Sequence, residues 1–134
     1  MKTPLSQSKD AKLALDYYAS KLAFSASPGE LKEYLERGEK VAVYDLRKKE
    51  DFVKGHIPGA IHLPESDWYS YKGLSKDGTA LLYGYSGDCN LAAKAGYHFA
   101  ENGFATMELK GGFDAWKGGN YAIEGSYSEA KKYA

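Results

Sequence analysis

The 134-residue sequence predicts an α/β protein, a central parallel sheet of about five strands flanked by helices on both faces. Three observations carry this. Val41–Tyr44 and Ala80–Tyr83 are short, continuously apolar runs, as in strands buried on both sides. Segments of helical spacing alternate with them. Polar or glycine-bearing stretches follow the runs, at Asp45-Leu46-Arg47 and at 84–89.

The elements follow in order. Residues 8–22 read as an amphipathic helix, with Leu15, Tyr18 and Leu22 spaced to share a face. Ala23-Phe24-Ser25 reads as a short lead-in strand. Ser27-Pro28-Gly29-Glu30 signals a helix start: serine caps, proline takes the first helical position, and glutamate follows three residues after the serine. Leu31, Tyr34 and Leu35 continue that helix and Gly38 ends it. Val41–Tyr44 is the second strand, and a glycine- and proline-marked loop leads to a third at Ala60–Leu63. Ala80–Tyr83 is the fourth. Residues 90–101 read as a helix closed by Asn102-Gly103. Thr106–Leu109 is the last strand, and Gly111-Gly112 opens a short helix through Trp116. The chain divides into a lead-in over 1–26, a domain over 27–124 and a tail over 125–134.

Composition removes several function classes. Lys+Arg and Asp+Glu both number 18, so the formal net charge is +0 and no overall field draws nucleic acid or an anionic membrane. Lys131-Lys132 is too short to make a nucleic-acid patch. There is one cysteine, which excludes an intrachain disulfide and a zinc site built on cysteine pairs. The first ten residues lack the apolar stretch of a secretory leader, and no segment reaches the roughly 20 apolar residues of a membrane span. The expected compartment is the cytoplasm, where a lone thiol stays reduced.

In a parallel sheet, ligands bind beyond the carboxyl ends of the strands. That directs attention to Asp45-Leu46-Arg47 and to Gly84-Tyr85-Ser86-Gly87-Asp88-Cys89 with Asn90 after it. Three segments there resemble the rhodanese-like domains. The first is Asp45-Leu46-Arg47, Asp51-Phe52 and Gly55-His56-Ile57-Pro58-Gly59-Ala60. The second is the strand, loop and helix from Leu81 to Ala93. The third is Asn102-Gly103-Phe104 leading to Gly111-Gly112-Phe113-Asp114-Ala115-Trp116. Order and spacing agree over about residues 27–123. The opening helix with Lys21-Leu22-Ala23-Phe24 resembles a subgroup of small single-domain members.

The resemblance implies a six-residue loop that cradles an anion or a sulfur at a helix N-terminus. In active members the first loop residue is a cysteine, which takes sulfur from a donor such as thiosulfate as a persulfide. Here that position is Gly84, which has no nucleophile. The subgroup carries Cys-x-x-x-x-Cys-Asn, of which this chain keeps Cys89-Asn90.

Two readings of Cys89 stand open. As a reactive thiol, it sits where backbone N–H groups and a helix dipole stabilise a thiolate. As a small apolar residue, it packs the helix start, with Asp88 opposing anions beside it. The loop residues Gly84, Tyr85, Ser86, Gly87, Asp88 and Asn90 form an anion-binding nest, or a turn that needs glycine at positive φ. Asp45 and Arg47 brace the loop, or Arg47 meets the substrate anion. His56 belongs to a structural turn. His56, His62 and His98 lack the spacing of a metal site, and no cofactor is expected. Tyr69 and Tyr71, near Trp68, are ordinary aromatics or line the pocket mouth.

Three functions follow. The first is a sulfurtransferase using Cys89. The second is a catalytically inactive rhodanese-like module that binds a small anion or a protein partner through the Gly84–Cys89 loop pocket. The third, a phosphatase or arsenate reductase relative, lacks both the loop cysteine and a loop arginine. The expected partners are a small sulfur-containing anion or a thiol acceptor, with neither nucleic acid nor membrane, for a monomer or homodimer.

Overall fold

The computed structural model describes residues 9–70 and 73–126. Tyr71, Lys131-Lys132 and most of the tail expected over 125–134 lie outside the described residues. The chain runs α1 (Ala11–Ala23), β1 (Ser25–Ala26), α2 (Pro28–Glu36), β2 (Val41–Asp45), α3 (Lys49–Lys54), β3 (Ile61–His62), a 3₁₀ turn (Glu65–Ser70), β4 (Thr79–Tyr83), α4 (Leu91–Glu101), β5 (Thr106–Leu109) and α5 (Gly112–Gly118). The five strands form one sheet in the order β1-β5-β4-β2-β3. Every neighbouring pair is parallel.

Side-chain alternation along the central strands builds two cores. Val43, Leu81 and Tyr83 face Leu31, Phe113 and Trp116 of α2 and α5. Tyr44, Ala80 and Leu82 face Ala92, Ala95 and Phe99 of α4, with Trp68 of the 3₁₀ turn. Helices therefore cover both faces, and this requires β4 to be apolar on both sides, which it is from Ala80 to Tyr83.

The helix expected over 8–22 starts later, at Ala11, because the Asp10 carboxylate caps it by accepting from the Leu13 N–H at 3.0 Å. Its expected apolar face does not enter the core: Leu15, Tyr18 and Leu22 stay 68%, 60% and 72% exposed. Leu13 and Tyr17 lie roughly opposite them around the helix, so no single stripe exists to be buried. The first strand is Ser25–Ala26 rather than 23–25. Phe24 is still part of the helix end, its N–H donating to the Ser20 carbonyl. The loop read after Asp45 contains α3, a helix with no buried residue and hence no apolar signature.

The α2 start is as read. Ser27 Oγ accepts from the Glu30 N–H at 3.1 Å and the Glu30 carboxylate accepts from the Ser27 N–H at 3.0 Å. Ser27→Ala is expected to cost about 1 kcal/mol in urea unfolding. The backbone hydrogen bond from Ser27, then its hydroxyl, holds the Glu30 carboxyl below its ordinary value. A depressed carboxyl stabilises the fold above the ordinary glutamate range, and that support is lost as pH falls through the folded value. The Ser27→Ala deficit should therefore shrink in acid; a deficit that is flat with pH contradicts this.

Among the described residues, no helix is long and apolar enough to cross a membrane.

Candidate functional site

The site forms where β2 and β4 end side by side, with Asp45 opposite Tyr83 in the sheet register. Asp45 is fully buried and Arg47 nearly so. The Arg47 Nε donates to both Asp45 oxygens at 3.0 and 3.2 Å, and Nη2 donates to Oδ2 at 2.8 Å. Nη2 also donates to the Gly55 carbonyl, and the guanidinium lies 4.0 Å from the Phe113 ring centroid. Burial works against the Arg47 charge, but the Asp45 hydrogen bonds and charge outweigh it and hold the guanidinium above its ordinary pKa. The Tyr83 hydroxyl donates to Asp45 Oδ2 at 2.6 Å and accepts from the Ile57 N–H at 3.2 Å. Burial, then the Asp45 charge, keeps this phenol protonated far above its ordinary value. Arg47 is thus consumed by the brace.

The loop leaves β4 at Gly84 and is fastened along its length. The Phe113 N–H donates to the Gly84 carbonyl and the Asp114 N–H to the Tyr85 carbonyl, both at 2.9 Å. This approach depends on Gly112, whose φ is 60°; a Cβ there would sit 2.8 Å from Ser86 N and 2.9 Å from the Gly84 oxygen. The Tyr85 hydroxyl donates to Asp51 Oδ2 at 2.6 Å and accepts from the Lys48 N–H at 3.1 Å. Burial, then the Asp51 hydrogen bond, raises its pKa. Tyr85 is therefore a tether to α3. A turn closes with the Cys89 N–H on the Ser86 carbonyl at 3.2 Å. Glycine at Gly84 and Gly87 is not there for a positive φ, since neither adopts one.

A cavity of about 300 Å³ lies over the loop. Its walls include Gly84, Ser86, Gly87 and Cys89, together with Lys21, Glu108 and Lys110 from outside the loop. A Cβ built at Gly84 would meet Cys89 Sγ at 3.0 Å. The half-buried thiol therefore lies beside the space left by the absent side chain, at the cavity wall. Of the other loop residues named from sequence, Tyr85, Asp88 and Asn90 are not among its walls, and Asp88 is exposed. Asn90 begins α4 without capping it by its side chain. Arg47 lines a different hollow, of about 230 Å³, with Tyr85, Phe113 and Lys117.

His56 is a turn residue. Its ring stacks on Phe52 at 3.9 Å, Nδ1–H donates to the Phe52 carbonyl at 2.7 Å, and its backbone bridges to Glu124. His62 Nε2–H donates to the Arg47 carbonyl. Among the described residues, no group of three His, Cys, Asp or Glu could hold a metal ion. Trp68 is buried, Tyr69 is 74% exposed, and neither lines the loop cavity. Lys21, Glu108 and Lys110 were not singled out as site residues from sequence; the β4–β5 pairing brings Glu108 and Lys110 to the cavity, and the β1–β5 pairing brings the end of α1 with Lys21.

The comparisons agree with this geometry. The rhodanese-like domain family matches residues 27–118. The probable adenylyltransferase/sulfurtransferase MoeZ of Mycobacterium tuberculosis is 37% identical over 94 residues, 67% of this chain and 24% of that protein. The chain thus spans about a quarter of that relative's length. The putative sulfurtransferase YtwF of Bacillus subtilis is 31% identical over 69% of this chain and 88% of its own. The crystal structure of BH2092 from Bacillus halodurans superposes with a TM-score of 0.77 at 32% identity, covering 88% of each chain. With that match spanning most of the chain, and with the sheet and the fastened loop in place, the chain belongs to the rhodanese-like domain family.

Proposed function

We propose that this protein is a sulfurtransferase that carries sulfane sulfur on Cys89. The observation that supports it is the position of the Cys89 sulfur, in the cavity wall and beside the space over Gly84. The sulfurtransferase names of MoeZ and YtwF point the same way. In the loading step the Cys89 thiolate attacks the outer sulfur of thiosulfate. A bond forms between the Cys89 sulfur and that outer sulfur, the bond to the sulfonyl sulfur breaks, and sulfite leaves with the electron pair. A thiol acceptor, as its thiolate, then attacks the outer sulfur and Cys89 departs as thiolate. The chemistry needs a reduced thiol, which suits the cytoplasm.

The second reading, an inactive module that binds a small anion or a protein through this pocket, draws on Gly84 itself, which brings no nucleophile to the loop start. One experiment separates them. Intact-mass analysis after incubation with thiosulfate should show one added sulfur atom, discharged by cyanide and absent from Cys89→Ser. A folded chain that gains no sulfur leaves the inactive module.

A further inference from the structure

Helix α1 has no buried residue, although its 13 residues include Leu13, Leu15, Tyr17, Tyr18 and Leu22, all exposed. A helix of about 12–15 residues is marginal in water without apolar packing. At about 100° per residue, its large side chains make two opposed stripes. Leu13 and Tyr17 share a side with Lys21 and Phe24, which line a groove against Tyr97 of α4 and Met107 of β5. That side of the helix therefore turns towards the body of its own chain. Ala11, Leu15, Tyr18 and Leu22 form the second stripe, within about 60° of one another, and it faces away from the groove.

We propose that this second stripe is the contact surface for a second copy of the chain, the two α1 helices lying antiparallel. Successive members are four, three and four residues apart, the spacing of a coiled-coil seam. That series reads the same in both directions. An antiparallel copy therefore sets Leu15 against Tyr18 and Leu22 against Ala11, and the same contacts recur across a twofold axis. At each end of the seam a bulky side chain meets a small one. A parallel copy would pair Ala11 with itself and Tyr18 with itself, an uneven seam. The flanking positions are Lys12, Ala14, Ala19 and Lys21. In the antiparallel register Lys12 lies beside Ala19 and Lys21 beside Ala14, so no like charges meet. Leu15, Tyr18 and Leu22, each roughly two-thirds exposed, offer about 500 Å² per copy together with the alanines and the lysine stems. The pair would bury about 1,000 Å², the lower bound for a specific interface, so the dimer belongs to the micromolar rather than the nanomolar range.

Sedimentation velocity of the full chain tests this. Wild type should show a monomer–dimer equilibrium with Kd on the order of 10 µM. Leu15→Lys and Tyr18→Glu should each weaken it at least about 100-fold, because each puts two unpaired charges into the seam. Mixed in equal amounts, the two variants should associate within about tenfold of wild type. The introduced cation of one copy then faces the introduced anion of the other, while the remaining Tyr18 and Leu15 meet as before. A wild type that stays monomeric to about 0.5 mM overturns the proposal, whether or not α1 then takes up phosphatidylglycerol vesicles. So does a dimer that survives both single variants, or a mixture that fails to associate. Both variants should keep the wild-type urea midpoint, since α1 buries no residue. Where either does not, concentration-dependent amide shifts in wild type decide. Shifts along 11–22 support the proposal; shifts only elsewhere, or none, overturn it.

Discussion

Asp45→Ala is expected to lose about 3–5 kcal/mol of stability in urea unfolding, because the change strands a buried cation. The carboxylate is fully buried and accepts from the Arg47 side chain, the Arg47 backbone N–H and the Tyr83 hydroxyl. Removing it leaves a guanidinium with 5% side-chain exposure and a buried phenol with no acceptor there. Against a typical total of about 5–15 kcal/mol, that is a large share. The loop should suffer with the fold, since Arg47 packs under Phe113 and Phe113 holds the Gly84 carbonyl. A loss under about 1 kcal/mol would mean that water replaces the carboxylate, as at a surface pair, and the brace argument would fail.

Gly84→Cys is expected to give a redox-controlled enzyme. In a disulfide, the Cβ of one cysteine lies about 3 Å from the sulfur of the other. A Cβ at Gly84 would lie 3.0 Å from Cys89 Sγ, so the new thiol is placed to bond with the old one. The oxidised variant should show no free thiol, load no sulfur and resist iodoacetamide. The reduced variant should regain loading through the cysteine at the loop start. The fit is tight, because Leu91 Cβ would lie 3.2 Å away and must yield by a few tenths of an ångström. Free thiols persisting in air would show that the two residues do not face each other. Disulfide-free but inactive protein would show that the loop lacks more than a nucleophile.

Much of this was legible from the chain. The strands read at 41–44 and 80–83 announced themselves because burial on both faces demands unbroken apolar runs; each is one residue longer in the structure, at Asp45 and at Thr79. The serine cap before Pro28 was readable because capping is local chemistry. The rhodanese-like resemblance identified the family, and it pointed to the loop after β4 as the place to look. What stayed hidden depends on residues far apart in sequence. Tyr85 was grouped with an anion nest, yet its hydroxyl goes to Asp51, on a helix whose six residues carry no periodic signal. Glycine at Gly84 was a lost nucleophile in sequence; in space it is also room for a sulfur five residues on. Lys21 and Lys110 could not be placed together until β1 and β5 were paired.

That pairing also bears on where the folding unit begins. The family match starts at residue 27, but β1 is Ser25–Ala26 and lies on the edge of the sheet. The Glu108 N–H donates to the Phe24 carbonyl and the Lys110 N–H to the Ala26 carbonyl. A chain cut back to the match would bare β5 as a sheet edge with open donors, a template for aggregation. It would also remove Lys21 from the mouth of the cavity. The short segment before the recognised domain is thus a seal on the sheet, and a truncation series should place the boundary ahead of it.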